Sequence, residues 1–193
     1  MYPAEVFTGY DGSRAYKVPV SLVGGASATW TAEDPSLVTL ETKKEGVMIT
    51  ARKAGSTTVT AKVGSKSYKV KVTITKYAQG AWAAGEKVYT TSVKCDGCHV
   101  KSSGPDHSPS EIGKHEDAHI RARITTGESL HGEATQANHK LGDRLDADGV
   151  VAAIAYIRGL TSRASRSTAS RTETMCAATA ALSYWARHRG CGR

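Results

Sequence analysis

Tyr68-Lys69-Val70-Lys71-Val72-Thr73-Ile74-Thr75 alternates apolar and polar side chains, residue by residue. Successive side chains of an extended chain point to opposite faces, so this pattern predicts a strand with one dry and one wet face. Upstream, Thr57, Val59, Ala61 and Val63 keep the same period, and Gly64-Ser65 supplies a hairpin turn between the two runs. Val47-Met48-Ile49 follows the turn-like Lys44-Glu45-Gly46. Val18–Leu22, Ala28–Thr31 and Leu37–Leu40 are shorter candidates, separated by Gly24-Gly25 and Asp34-Pro35-Ser36. Short strands with turn residues between them predict a β-sandwich over residues 1–77. This half holds no cysteine, so no disulfide can join its sheets.

Beyond a short connection at Lys76–Gly80 the period changes. Trp82, Gly85, Val88 and Tyr89 recur at three- and four-residue spacing, which predicts a helix over residues 80–90. Next comes Cys95-Asp96-Gly97-Cys98-His99, a C-x-x-C-H run. Two thiols at this spacing lie on one side of a helical turn, where they can bond the two vinyl groups of one porphyrin. The adjacent His99 can then bind the iron as proximal ligand. The same cysteines allow two other readings. Cys95, Cys98, His115 and His119 form a zinc-finger-like spacing. A redox dithiol would want a βαβ context, which the flanking sequence does not offer.

Lys101–Ser110 is a loop rich in Ser, Gly and Pro, and residues 111–126 read as a helix stopped by Gly127. Residues 127–144 are polar and irregular. Asp146 can cap a last helix whose apolar face carries Val150, Val151, Ile154 and Ile157. Residues 161–173 are an Arg/Ser/Thr linker, and Met175, Ala178, Leu182 and Trp185 place one apolar stripe on a terminal helix. Cys176 and Cys191 would most simply pair as a disulfide in an oxidising compartment. This tail is a docking element for the protein's own surface or for a neighbouring copy, which leaves a homo-oligomer or filament open.

The net charge of +8 is carried by the two ends of the chain. Residues 1–78 hold 11 basic and 6 acidic side chains, residues 79–160 hold 9 and 11, and residues 161–193 hold 6 and 1. The lysines of the first part alternate along strands, a solvated sheet face and not a nucleic-acid stripe. The longest apolar run, near Val150–Ile157, is too short to span a bilayer. Met1-Tyr2-Pro3-Ala4-Glu5 lacks the basic start and apolar core of a leader peptide. Because haem c is attached outside the bacterial cytoplasm, a leader is expected upstream or already removed, with a periplasmic or cell-surface location.

Two resemblances add to this reading. Ser27-Ala28-Thr29-Trp30, Asp34–Thr39, Ala54–Ala61 and Val70–Thr75 resemble the bacterial immunoglobulin-like domain of group 2, which implies a sandwich used as a spacer or adhesive module, with Trp30 in its core. Ala84–Tyr89, the C-x-x-C-H run and Leu145–Leu160 resemble the class I cytochrome c family over residues 78–160. That resemblance implies an all-α haem domain and crossing first and last helices, with Gly85, Tyr89 and Tyr156 at the crossing. The fold class expected is therefore a multi-domain chain: a β-sandwich (1–77), an all-α cytochrome c fold (78–160), and a linker with a helical tail (161–193).

The cytochrome resemblance implies one covalent haem c on Cys95 and Cys98, with His99 as proximal ligand. The family's distal methionine has no counterpart, since no Met lies between His99 and Leu160. The equivalent position holds His139, the first choice as distal ligand, with His131 the runner-up. His107, His115, His119 and His188 have weaker claims, and a solvated histidine is the expectation for His107, His115 and His188. Pro109, then Pro105, is the candidate carbonyl for the proximal imidazole. The function implied is electron transfer with redox proteins as partners, and not an enzyme. A haem sensor or peroxidase-like site with an open distal position, or a structural surface module carrying haem, are the alternatives. Glu116, Asp117 and Asp148 read as solvated helix charges.

Overall fold

The computed structural model of the chain describes residues 3–22, 27–95, 107–128 and 140–160. Among the described residues seven strands form two sheets. One has the order β1-β7-β6-β3, built from β1 (Glu5–Tyr10), β7 (Lys66–Lys76), β6 (Gly55–Val63) and β3 (Thr29–Ala32). The other is β2-β5-β4, from β2 (Lys17–Ser21), β5 (Gly46–Ala51) and β4 (Val38–Lys43). All pairings are antiparallel except β1 with β7, which is parallel. Val59, Val70, Val72 and Ile74 of one sheet share a single apolar cluster with Val18, Val20, Val47 and Ile49 of the other. The two inner faces therefore pack on each other, as alternation along each strand requires.

Four short helices follow among the described residues: α1 (Ala81–Lys87), α2 (Pro109–Ile112), α3 (Asp117–Thr126) and α4 (Ala147–Arg158). A wide π-type turn, Val88–Ser92, extends α1. The expected all-α cytochrome c fold after an immunoglobulin-like domain is overturned. The described chain is mostly β, with seven strands and four short helices. The physical reason lies in the packing. Tyr77, Ala81, Ile112, Ile120, Val150, Ile154 and Ile157 join the same cluster as the sheet side chains instead of closing a core of their own. Met1–Thr161 forms one compact unit. Trp30, expected in the core, is half-buried at its edge.

β1 escaped the sequence reading, yet it is where the helices meet the sheet. As an edge strand it carries main-chain groups with no neighbouring strand on one side. Phe7 N–H donates to Gly113 O at 2.8 Å, and Phe7 O accepts from Arg158 Nη1 at 2.9 Å. The helix read over residues 111–126 breaks at the same place. Gly113 O goes to β1, and His115 O accepts from Arg158 Nη2 at 2.6 Å, so neither carbonyl continues a helix. α3 starts afresh at Asp117 and stops where expected, at Gly127 with φ 75°. Asp146 caps α4 by accepting from Gly149 N at 2.7 Å.

Arg158 is the knot of this junction, with a side chain only 1% exposed. Its Nε donates to Asp117 Oδ1 at 2.6 Å, and Nη1 also reaches Ile112 O at 3.3 Å. Asp117 Oδ2 accepts from Tyr77 OH at 2.7 Å. A buried guanidinium without its carboxylate costs about 3–5 kcal/mol. Asp117→Ala is therefore expected to lower unfolding free energy by about that amount in urea titrations, and Tyr77→Phe by about 1–3 kcal/mol through the lost hydrogen bond.

Burial pushes the Tyr77 phenol well above its ordinary range. The Arg158 charge works against this, and the Asp117 carboxylate adds to it. An unfolded Tyr ionises near pH ~10 while the folded one stays neutral, so this contribution is complete below that pH and is lost as pH rises above it. Stability measured by chemical denaturation should fall above pH ~10, and less steeply in Tyr77→Phe.

Candidate haem-attachment end of the helices

α1 and α4 cross at Gly85. A Cβ there would lie 1.9 Å from Ala152 O and 2.7 Å from Tyr156 Cβ, so only glycine permits the approach. Aromatic rings fill both sides of the crossing. Trp82 and Tyr89 each meet Tyr156 in a tilted ring contact, with centroids 5.1 Å apart. Tyr89 is 1% exposed. The contact thus involves Gly85, Tyr89 and Tyr156, the positions that the resemblance implied, although the architecture around it differs from the one expected.

The wide turn after α1 delivers Cys95. Val93 N–H donates to Val88 O at 3.0 Å, and Lys94 takes φ 56°, rare for a residue with a Cβ. Cys95 N–H then donates back to Tyr89 O at 2.8 Å. This closure resembles a Schellman cap opened by one residue. Wide helical turns of this kind recur at functional sites. Cys95 is half-buried and packs against the apolar cluster, as do Ile124 and Leu145.

Hydrogen bonds also tie the end of α3 to the approach to α4. Arg123 Nη1 donates to Gly127 O and Glu128 O, Leu141 N–H to Ile124 O, and Gly142 N–H to Thr125 O. Arg144 Nη2 donates to Ser92 O at 3.2 Å, which joins the approach to α4 to the turn that carries Cys95. Cys95 and Leu145 thus lie at the same end of the helices, beside half-buried apolar side chains.

The other residues singled out from sequence fare differently. Cys98, His99, His131, His139, Pro105, Cys176, Cys191 and His188 lie outside the described residues. His107 is not the solvated histidine expected. It is half-buried, and its Nδ1 is 3.0 Å from Tyr89 OH. His119 is exposed and 3.6 Å from Glu116. Pro109 is buried at the start of α2, and its carbonyl accepts the Gly113 N–H at 3.0 Å. Among the described residues no three His, Cys, Asp or Glu side chains form a metal-binding group, so Cys95, His115 and His119 do not converge as a zinc site would require. Asp117 is not a solvated charge but the partner of buried Arg158.

Sequence reasoning also missed Asp11 and Arg14, which lock the β end to the helices, and Tyr16, which is buried beside Asp11. Arg14 donates from Nε to Gly159 O at 2.9 Å and lies over the Trp82 ring, 3.9 Å from its centroid. Burial works to raise the Asp11 pKa, but backbone N–H groups of Ser13, Arg14 and Trp82 and the Ser13 side chain hold it below the ordinary carboxylate range. Burial, and then the Asp11 charge, push the Tyr16 phenol up.

No family model matches this chain, and no curated protein shows significant similarity to it. Among the described residues no helix is long and apolar enough to cross a membrane.

Replacing Gly85 tests the crossing directly. Gly85→Ala is expected to destabilise the protein by about 1–3 kcal/mol, because the clashing atom is backbone and cannot rotate away. Gly64→Ala is the control, since nothing lies within 4 Å of its Cβ position and only its φ of 57° is at stake.

Proposed function

We propose that this protein carries one covalently attached haem c and acts in electron transfer outside the cytoplasm, at the periplasm or cell surface. The observation that carries the reading is the C-x-x-C-H run at Cys95–His99, with its first cysteine held on a closed helical turn beside apolar side chains. The residues present suit the group. A porphyrin needs thiols on an ordered turn and apolar walls. Cys95 sits on such a turn, and Ile124 and Leu145 belong with it to the half-buried rim of the cluster.

Cys95 and Cys98 would hold the ring through thioethers, and His99 would bind the iron, with His139 as the opposite ligand and His131 the runner-up. When bound, the haem supplies a one-electron couple whose potential follows its axial ligands. Two imidazoles favour the ferric state more than the Met/His pair does. The chain's own part is to keep this end of the helices from rearranging. Gly85, the Tyr89 carbonyl bond to Cys95 N–H and the Arg144 bond to Ser92 all serve that end. Redox proteins would be the partners, and the basic strands would be spacer surface.

The test is expression with the machinery that attaches haem c, followed by mass and absorption measurements. A porphyrin adduct that disappears in the Cys95→Ser/Cys98→Ser double variant is expected, with a low-spin spectrum that does not respond to carbon monoxide. His139→Met should raise the potential, within the range of about 0.8 V that axial ligands span. His131→Ala should leave spectrum and potential as they were. Bound zinc in place of iron would end the haem reading. Rapid carbon monoxide binding would end the six-coordinate electron-transfer reading in favour of an open-site sensor or enzyme.

A further inference from the structure

Three aromatic rings run in series through the helix crossing: Trp82, Tyr156 and Tyr89, each 5.1 Å from the next. The two ends differ in what they can do with a proton. Tyr89 OH lies 3.0 Å from His107 Nδ1, with the two rings 5.9 Å apart. The Trp82 Nε1–H is buried with no acceptor among the described residues, and the Arg14 guanidinium stands over its ring.

These contrasts decide where an oxidising equivalent would rest. A tyrosine that loses an electron becomes a very strong acid and must pass its proton to a base. A positioned imidazole within hydrogen-bond reach is such a base. An oxidised Trp82 would face the Arg14 charge across 3.9 Å and has no described acceptor for its proton. The cation that stabilises the neutral indole ring therefore opposes its radical cation.

We propose that Tyr89 is a redox-active tyrosine with His107 as its proton acceptor. In the step, a one-electron oxidant takes one electron from the Tyr89 phenol and is itself reduced by one electron. The O–H bond breaks, and its proton forms a new N–H bond at His107 Nδ1. A neutral tyrosyl radical and an imidazolium result. An external one-electron reductant, such as ascorbate, reverses the step, and the proton returns to the phenolate oxygen. Buried at the crossing, the radical is shielded from solvent and from other chains. The close contact with Tyr156 lets the pair collect oxidising equivalents that reach either ring. Cys95 N–H, bonded to the Tyr89 carbonyl, puts the pair beside the segment that would carry haem. The redox pair itself stands on the geometry of Tyr89 and His107 and does not rest on haem attachment.

The experiment uses the full chain as purified, with photogenerated tris(bipyridine)ruthenium(III) as oxidant and freeze-trapped electron paramagnetic resonance as readout. A neutral tyrosyl signal is expected, lost in Tyr89→Phe and retained in Tyr68→Phe, which removes the exposed tyrosine among the described residues. His107→Ala should slow formation of the signal about a hundredfold, the usual contribution of a positioned base, and added imidazole should restore it. A signal that survives Tyr89→Phe overturns the assignment. A His107→Ala variant that forms the radical at the wild-type rate overturns the role of the histidine. Because the oxidant is external, neither result changes with haem content, so this proposal and the haem reading can fail separately. Should Tyr89→Phe fold poorly, fluorotyrosine incorporated throughout the wild-type chain shifts the hyperfine pattern, and His107→Ala with imidazole rescue still tests the pair.

Discussion

A single charged side chain in the interior governs how this chain is put together. Arg158 closes α4 with its guanidinium out of water, and a group of that kind persists in a folded protein only when its donors are met. Here four of its five N–H groups find partners from four places: the Asp117 carboxylate, and the carbonyls of Phe7, Ile112 and His115. None of these partners is interchangeable with water, since each is buried or half-buried around the same point. The helices cannot therefore shift on the sheet without stranding a charge. This is why the helical and β portions share one core, and why the edge of β1 stays covered.

The β portion was largely legible. Alternation of Val70, Val72 and Ile74 with polar neighbours named the strand and its buried face, because a helix would scatter side chains at a period of two around its whole circumference. β1 was not legible. Gly9 breaks its apolar pattern, and its role emerges only in three dimensions, where a Cβ would strike Tyr77 Cε2 at 2.4 Å. Parallel pairing with β7 across most of the sandwich sequence leaves no local trace either. Asp146 and Gly127 were readable as helix ends because caps are local chemistry.

The relation between the halves was the part the sequence hid. Helical periodicity says that a helix has an apolar face, not what it faces. The resemblance implied the crossing of α1 and α4 at Gly85, Tyr89 and Tyr156, yet the separate all-α fold that it also implied did not follow. Arg158 shares the helix face of Ile154, one turn earlier, and this was the available hint. An arginine in register with buried side chains needs a buried partner, and that partner is Asp117, which its sequence neighbours alone mark as a solvated charge. His107 is hidden for the same reason: its partner, Tyr89, lies 18 residues away in sequence.

The same features bear on the redox use proposed for the helical end. A redox group gains from surroundings that do not reorganise when charge arrives, because fixed dipoles stabilise a charge without first having to turn. The helices that frame Cys95 are held at three independent points: the glycine crossing, the Arg144 bond to Ser92 and the Arg158 cluster. Removing the β portion would take away Phe7 and Tyr77, and with them two of the contacts that keep Arg158 and Asp117 paired. The β portion thus has a structural part in the helical end. It completes the polar cluster that orients the last helix, and through the crossing that helix positions the turn bearing the first cysteine.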